Sequence, residues 1–116
     1  MTLPIEIMLR GNNRVFAESV SHPVDATRWT EADVAAVMKG ILLAINRVQN
    51  EGAGEAPDVG LRGLNWIVHP SAHGVVIAIE IYSASAVAGP VALPADALEG
   101  LIGRAVASAN RPEIVH

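Results

Sequence analysis

One run of eight residues, Val75-Val76-Ile77-Ala78-Ile79-Glu80-Ile81-Tyr82, constrains the fold more than any other part of the chain. It is dense in β-branched side chains and lacks the polar face that a surface helix would need. With Gly74 before it and small residues after it, it reads as a strand near the centre of a sheet. Side chains alternate between the two faces of a strand. Val75, Ile77, Ile79 and Ile81 therefore form a uniformly apolar face, and Val76, Ala78, Glu80 and Tyr82 a mixed one. The first face belongs to a core; the second is half apolar and carries a carboxylate.

A central strand needs neighbours on both sides, and the chain supplies candidates in order. Leu3, Ile5, Ile7 and Leu9 alternate with Pro4, Glu6, Met8 and Arg10, the pattern of a half-buried strand. Gly11-Asn12-Asn13 provides turn chemistry, and residues 14 to 20 return as a second strand, making a β-hairpin. Two registers compete. A two-residue loop sets Phe16 opposite Ile7 but turns Glu18 inward, whereas a three-residue loop turns Val15 and Ala17 inward and leaves Glu6 facing Glu18. An exposed like-charge pair costs less than a buried carboxylate, which favours the three-residue loop.

After a connection at residues 21 to 28, Trp29-Thr30-Glu31-Ala32-Asp33-Val34 marks a helix start. Thr30 is placed to cap, Asp33 to complete a capping box, and Trp29 to staple onto Val34. Val34, Val37, Met38, Ile41, Leu42, Ile45 and Val48 then recur at helical spacing to about Gln49 and must pack on the sheet. Residues 50 to 58 are Gly-rich and acidic and read as a linker between two halves.

Residues 61 to 69 and 75 to 83 form a second expected hairpin across Pro70-Ser71-Ala72-His73-Gly74. With all five loop residues outside the ladder, Trp66 opposes Ala78 and Arg62 lies diagonal to Glu80. Residues 84 to 93 are apolar but interrupted by Gly89-Pro90 and read as a loop. Pro94 opens a last helix as a first-turn proline, with Leu98, Leu101, Ile102, Ala105 and Val106 as its stripe, ending near Asn110. Gly100 and Gly103 weaken this helix by about 1 kcal/mol each, which points to close approach against the sheet.

The expected architecture is a single α+β domain over residues 1–116. It is a ββαββα two-layer sandwich, with a four-stranded, mainly antiparallel sheet and both helices on one face. Equivalent pairing of the two hairpins gives strand order 1-2-4-3, a permutation of the ferredoxin-like order.

Composition excludes several functions. The chain has no cysteine, so it offers no disulfide framework, thiolate metal site or cysteine nucleophile. The net charge is -4, with a single lysine among eight basic residues, which leaves no basic run to hold phosphates and argues against a nucleic-acid partner. No stretch approaches the roughly 20 uninterrupted apolar residues of a membrane span, and no basic-then-apolar leader opens the chain. A cytoplasmic protein with no membrane partner is the expectation. The sequence holds no GxGxxG or P-loop motif and no GxSxG elbow around Ser71, Ser83 or Ser85, so no cofactor is expected.

Function is sought on the sheet face that the helices leave uncovered. The expected registers place Met8, Phe16, Trp66, Val76, Ala78 and Tyr82 there, with Glu6, Glu18, Glu80, Arg10, Arg14 and Arg62 among them. So many apolar residues on one face point to a partner, most simply a second copy of the chain. The leading expectation is a non-catalytic, homo-oligomeric binding or assembly module, a homodimer or a receptor for a protein partner, with Trp66, Tyr82, Met8, Phe16 and Arg62 as binding residues. The alternative is a small enzyme or ligand-binding protein at a subunit interface. There Glu18 or Glu80 acts as acid or base, His69 or His22 assists, and Glu6, Glu18 and Glu80 form a row of carboxylates. His69 and His73 flank the Pro70 turn with no third ligand in view, so no metal site is expected. His22 and Asp25 are placed to line a small pocket against residues 84 to 93.

Overall fold

The computed structural model describes residues 1–50, 61 and 63–109. The linker expected at residues 50 to 58 falls almost wholly outside them, as does Arg62. Within them the chain builds β1 (Thr2–Leu9), β2 (Val15–Ser21), a 3-10 turn (Ala26–Arg28), α1 (Glu31–Gln49), β3 (Asn65–Ser71), β4 (Gly74–Ile81), β5 (Ala84–Val91) and α2 (Ala95–Ala109). The α+β class stands. The four-stranded count and the ferredoxin-like order do not, because residues 84–91 are a fifth strand at the centre of the sheet. The order is β2-β1-β5-β4-β3, with all four neighbouring pairs antiparallel.

Why β5 escaped sequence reading is plain from its place. Ala84, Ala86 and Ala88 face the helices and are buried, so the middle of the sheet is lined with methyl groups rather than the β-branched residues that mark strands. Pairing with β1 ends at Ala88, so the proline at position 90, joined to Gly89 by a cis peptide bond, sits where β5 pairs with β4 alone. A register irregularity falls there, between Val75 and Ile77.

The first hairpin is also turned over: β1 lies inside and β2 at the edge. The core face of β1 is Leu3, Ile5 and Ile7, all but wholly buried, whereas β2 offers Phe16, Glu18 and Val20. The more apolar strand takes the position covered on both sides. Pairs Ile7↔Phe16 and Ile5↔Glu18 are those of the rejected two-residue register. An inward carboxylate is tolerated because inward at a sheet edge is not buried: the Glu18 side chain keeps 32% exposure and meets the Arg47 guanidinium of α1 at 3.4 Å. It is also the kind of inward charge that keeps an edge strand from pairing with another chain.

The second hairpin slips by one residue from expectation. Its turn is Ala72-His73, with Ser71 opposite Gly74 and Pro70 opposite Val75. Proline is admitted to the ladder because β3 is an edge strand, where the missing N–H faces outward. One residue of slip reverses the faces of a strand. Trp66 therefore opposes Ile79 on the core side, and Ile67 opposes Ala78 on the other.

Helix α1 begins as the spacing predicts. The Asp33 backbone N–H donates to the Thr30 hydroxyl, and the Thr30 backbone N–H donates to Asp33 Oδ2 at 2.8 Å, a complete capping box. Trp29 is buried beside it, its indole N–H donating to the Val24 carbonyl at 2.9 Å. In α2, Pro94 stands one residue before the first helical position, its carbonyl accepting from the Leu98 N–H. Val34, Val37, Met38, Ile41, Ile45, Leu98 and Ile102 join the inner face of the sheet in one core. No helix among the described residues is long and apolar enough to cross a membrane.

Candidate functional site

No helix of the described residues lies over the outer face of the sheet, and the residues of that face follow from the registers. Crossing from β2 to β3, the middle row is Ala17, Glu6, Val87, Ala78 and Ile67. The row nearer the β4–β5 turn is Val15, Met8, Ser85, Glu80 and Asn65. Met8 (45%), Val15 (51%), Ile67 (58%) and Val87 (44%) are exposed well beyond what a buried apolar residue shows. Most of the large exposed apolar side chains of the described residues thus share one face, with Val87 on the central strand in their midst.

Beyond the second row the strands turn. Arg10 leaves β1 and Tyr82 leaves β4, and the Arg10 guanidinium lies 4.8 Å from the centre of the Tyr82 ring. The Arg10 backbone N–H donates to the Ser83 carbonyl at 2.9 Å, which ties the β1–β2 and β4–β5 turns together. Tyr82 is 85% exposed, so this cation–π contact is solvated. A shallow cleft of about 650 Å³ opens here, lined by Arg10, Asn12, Asn13, Asn65, Glu80 and Ser85 among others. The Glu80 carboxylate takes no hydrogen-bond or ionic partner among the described residues.

Of the residues expected on this face, Met8, Val76, Ala78, Glu6 and Glu80 are there and Tyr82 stands at its end. Trp66 and Phe16 are on the opposite face, both half-buried, with the Arg14 guanidinium 5.0 Å from the Phe16 ring centre. Arg62 lies outside the described residues. His69 is exposed on β3, opposite Val76. Ile67, Val87, Val15, Asn65 and Ser85 were missed. Ile67 was one register step away, and Val87 was legible as the only large side chain between Ala84 and Gly89 had that segment been read as a strand.

The carboxylate row does not form. Glu18 is on the inner face, and Glu6 and Glu80 are separated by β5 and by two residues of register, on the order of 12 Å from strand spacing and rise. No group of three or more His, Asp or Glu side chains among the described residues is placed to hold a metal ion.

His22 does not meet Asp25 over an apolar loop. Its Nε2 donates to Asp33 Oδ1 at 2.9 Å, and its ring stands edge-on to Trp29 with centroids 6.2 Å apart. The N-terminal ammonium donates to the His22 carbonyl. The Thr30 backbone N–H, the His22 imidazole and the Thr30 hydroxyl together hold the Asp33 carboxyl below the usual carboxylate range. Asp25 is lowered likewise, first by the Thr27 N–H and then by its hydroxyl, within the 3-10 turn. Both aspartates are bound into local caps, and this cluster orders the entrance to α1.

Compared with protein-family models, curated proteins and solved structures, the chain matches none of them.

Proposed function

We propose that this protein is a homo-oligomeric assembly module whose uncovered sheet face is its contact surface. The observation that supports the reading is the gathering of Met8, Val15, Ile67 and Val87 on one face, around the central strand, with small residues Ala17, Ala78 and Ser85 between them. An apolar, unpleated-over surface of this kind gains free energy when removed from water, at about 25 cal/mol per Å². The test is native mass spectrometry of the wild type and of Ile67→Lys. The side chain at position 67 is exposed in the single chain, so the change leaves the fold intact and acts on association alone. A dimer or larger oligomer that dissociates in the variant supports the reading; a wild type that is monomeric at tens of micromolar ends it.

A second reading has one specific observation in its favour, the cleft with Glu80 at its wall. A small polar ligand held by Glu80, Asn65 and Ser85 would appear in the same spectra as a reproducible added mass, lost in Glu80→Gln. Glu18, on the other face, belongs to no such site.

A further inference from the structure

The pattern of the outer face selects how two copies would meet, and this inference rests on the assembly reading above. We infer that a second copy of the chain packs face to face with its two-fold axis running along β5, bringing the partner's Arg10 over Glu80.

Two sheets in aligned face-to-face packing keep their strands within about 30° of each other, about 10 Å apart. A two-fold axis in the interface therefore runs either across the strands or along them. An axis across the strands through Val87 maps each strand onto itself and sets Glu6 against Glu6, two carboxylates in a drying interface with no cation between them. An axis along β5 exchanges the flanks instead. Val87 then meets Val87 and Ile67 meets Ala17, large over small, while Val15 meets Asn65. Glu80 falls over Met8, two residues along the chain from Arg10, within reach of a guanidinium. Both Arg10–Glu80 pairs form at the same end of the interface, related by the axis.

Area adds a further condition. Five strands of seven or eight residues, at about 4.8 Å spacing and about 25 Å length, give a plan area of about 600 Å², short of the roughly 800 Å² per partner of a standard interface. The surface has to extend past the strands, and the Arg10 and Tyr82 turn is the polar, exposed ground next to the second row. Glu6 is the exception within the face. It lies over Ala78 with no cation opposite, so in this arrangement its charge opposes association.

The two carboxylates of one face therefore act with opposite sign, and that is what the experiment reads. Dissociation constants are measured by sedimentation velocity for wild type, Val87→Lys, Arg10→Glu, Glu6→Gln and the exchange Arg10→Glu with Glu80→Arg, with circular dichroism to show that each variant is folded. The expected result is loss of association in Val87→Lys, a weakening of about tenfold or more in Arg10→Glu, recovery in the exchange, and tighter association in Glu6→Gln. If Val87→Lys dissociates the protein but Arg10→Glu and the exchange leave the constant unchanged, the axis along β5 is wrong and the assembly reading stands. If Val87→Lys leaves association intact, or the wild type is a monomer, both fall.

Discussion

At Gly74 and Gly89 the chain is held in backbone conformations, φ +139 and +130, that residues with a Cβ rarely adopt. The two positions are also in tight contact across the β4–β5 pair. A Cβ on Gly89 would lie 2.9 Å from the Val75 carbonyl oxygen, and one on Gly74 would lie 2.7 Å from that of Val91. Backbone cannot swing aside as a side chain can, so Gly89→Ala is expected to cost about 2 kcal/mol or more, read as a lower urea midpoint at unchanged slope. Gly11 is the contrast: its φ of +79 is also left-handed, but a Cβ there meets nothing. The Asp33 cap makes a second prediction. Its folded pKa lies below the unfolded value, so the stability it contributes is fully present above the ordinary carboxylate range and is lost as pH falls through that range toward the folded value. Stability measured from pH 6 down to 3 should fall less steeply in Asp33→Asn than in wild type; parallel curves would show that the cap carries no linkage. The Thr30 and Asp33 pair was legible in the sequence because a capping box is local, three residues of spacing and nothing more. The Gly74 and Gly89 contact was not, since it exists only once β4 and β5 are paired.

Among elements, what sequence patterning conveyed depended on whether a strand's environment matched its alternation. β1, β4 and α1 were read correctly because each presents one apolar face to one core. The strand at the centre was lost because small side chains there let the helices close on the sheet, and small side chains look like a loop. Registers failed for a related reason. Both edge strands hold a residue that an interior strand would reject, Glu18 in β2 and Pro70 in β3, and assigning those residues to safer places shifted each ladder by one. That single step moves Trp66 and Phe16 off the outer face and puts Ile67 on it, so the pattern of the sequence marks the face but not all of its members. The glycines of the helices separate by the same kind of environment. Gly40 in α1 faces β2, where an added Cβ would sit 2.8 Å from Val20 Cγ1, a short branched side chain that is itself buried. Gly103 in α2 has nothing within 4 Å among the described residues, contrary to the expected close approach. Gly103→Ala should therefore raise stability by up to about 1 kcal/mol, the helix propensity difference, and Gly40→Ala should lose that gain to the clash and lower the thermal midpoint.

For the molecule as a whole, the core is one-sided among the described residues: two helices cover one face of five strands, and no described helix covers the other. The last strand made is also the one on which the sheet depends. β1 and β2 form one hairpin and β3 and β4 another, and β5 alone joins them, pairing Ile5 with Ala88 on one side and Ile77 with the same residue on the other. During synthesis, then, the first hairpin and α1 emerge long before anything exists to close them, and each hairpin carries an open interior edge until residues 84–91 leave the ribosome. Loop closure over so long a stretch of chain is slow, and the waiting edges are the surfaces on which unfinished chains stick to one another. A chain stopped before Ala84 should accumulate as aggregate rather than as a smaller domain, and its two hairpins, each complete in itself, should be unable to find each other without the eight residues that lie between them.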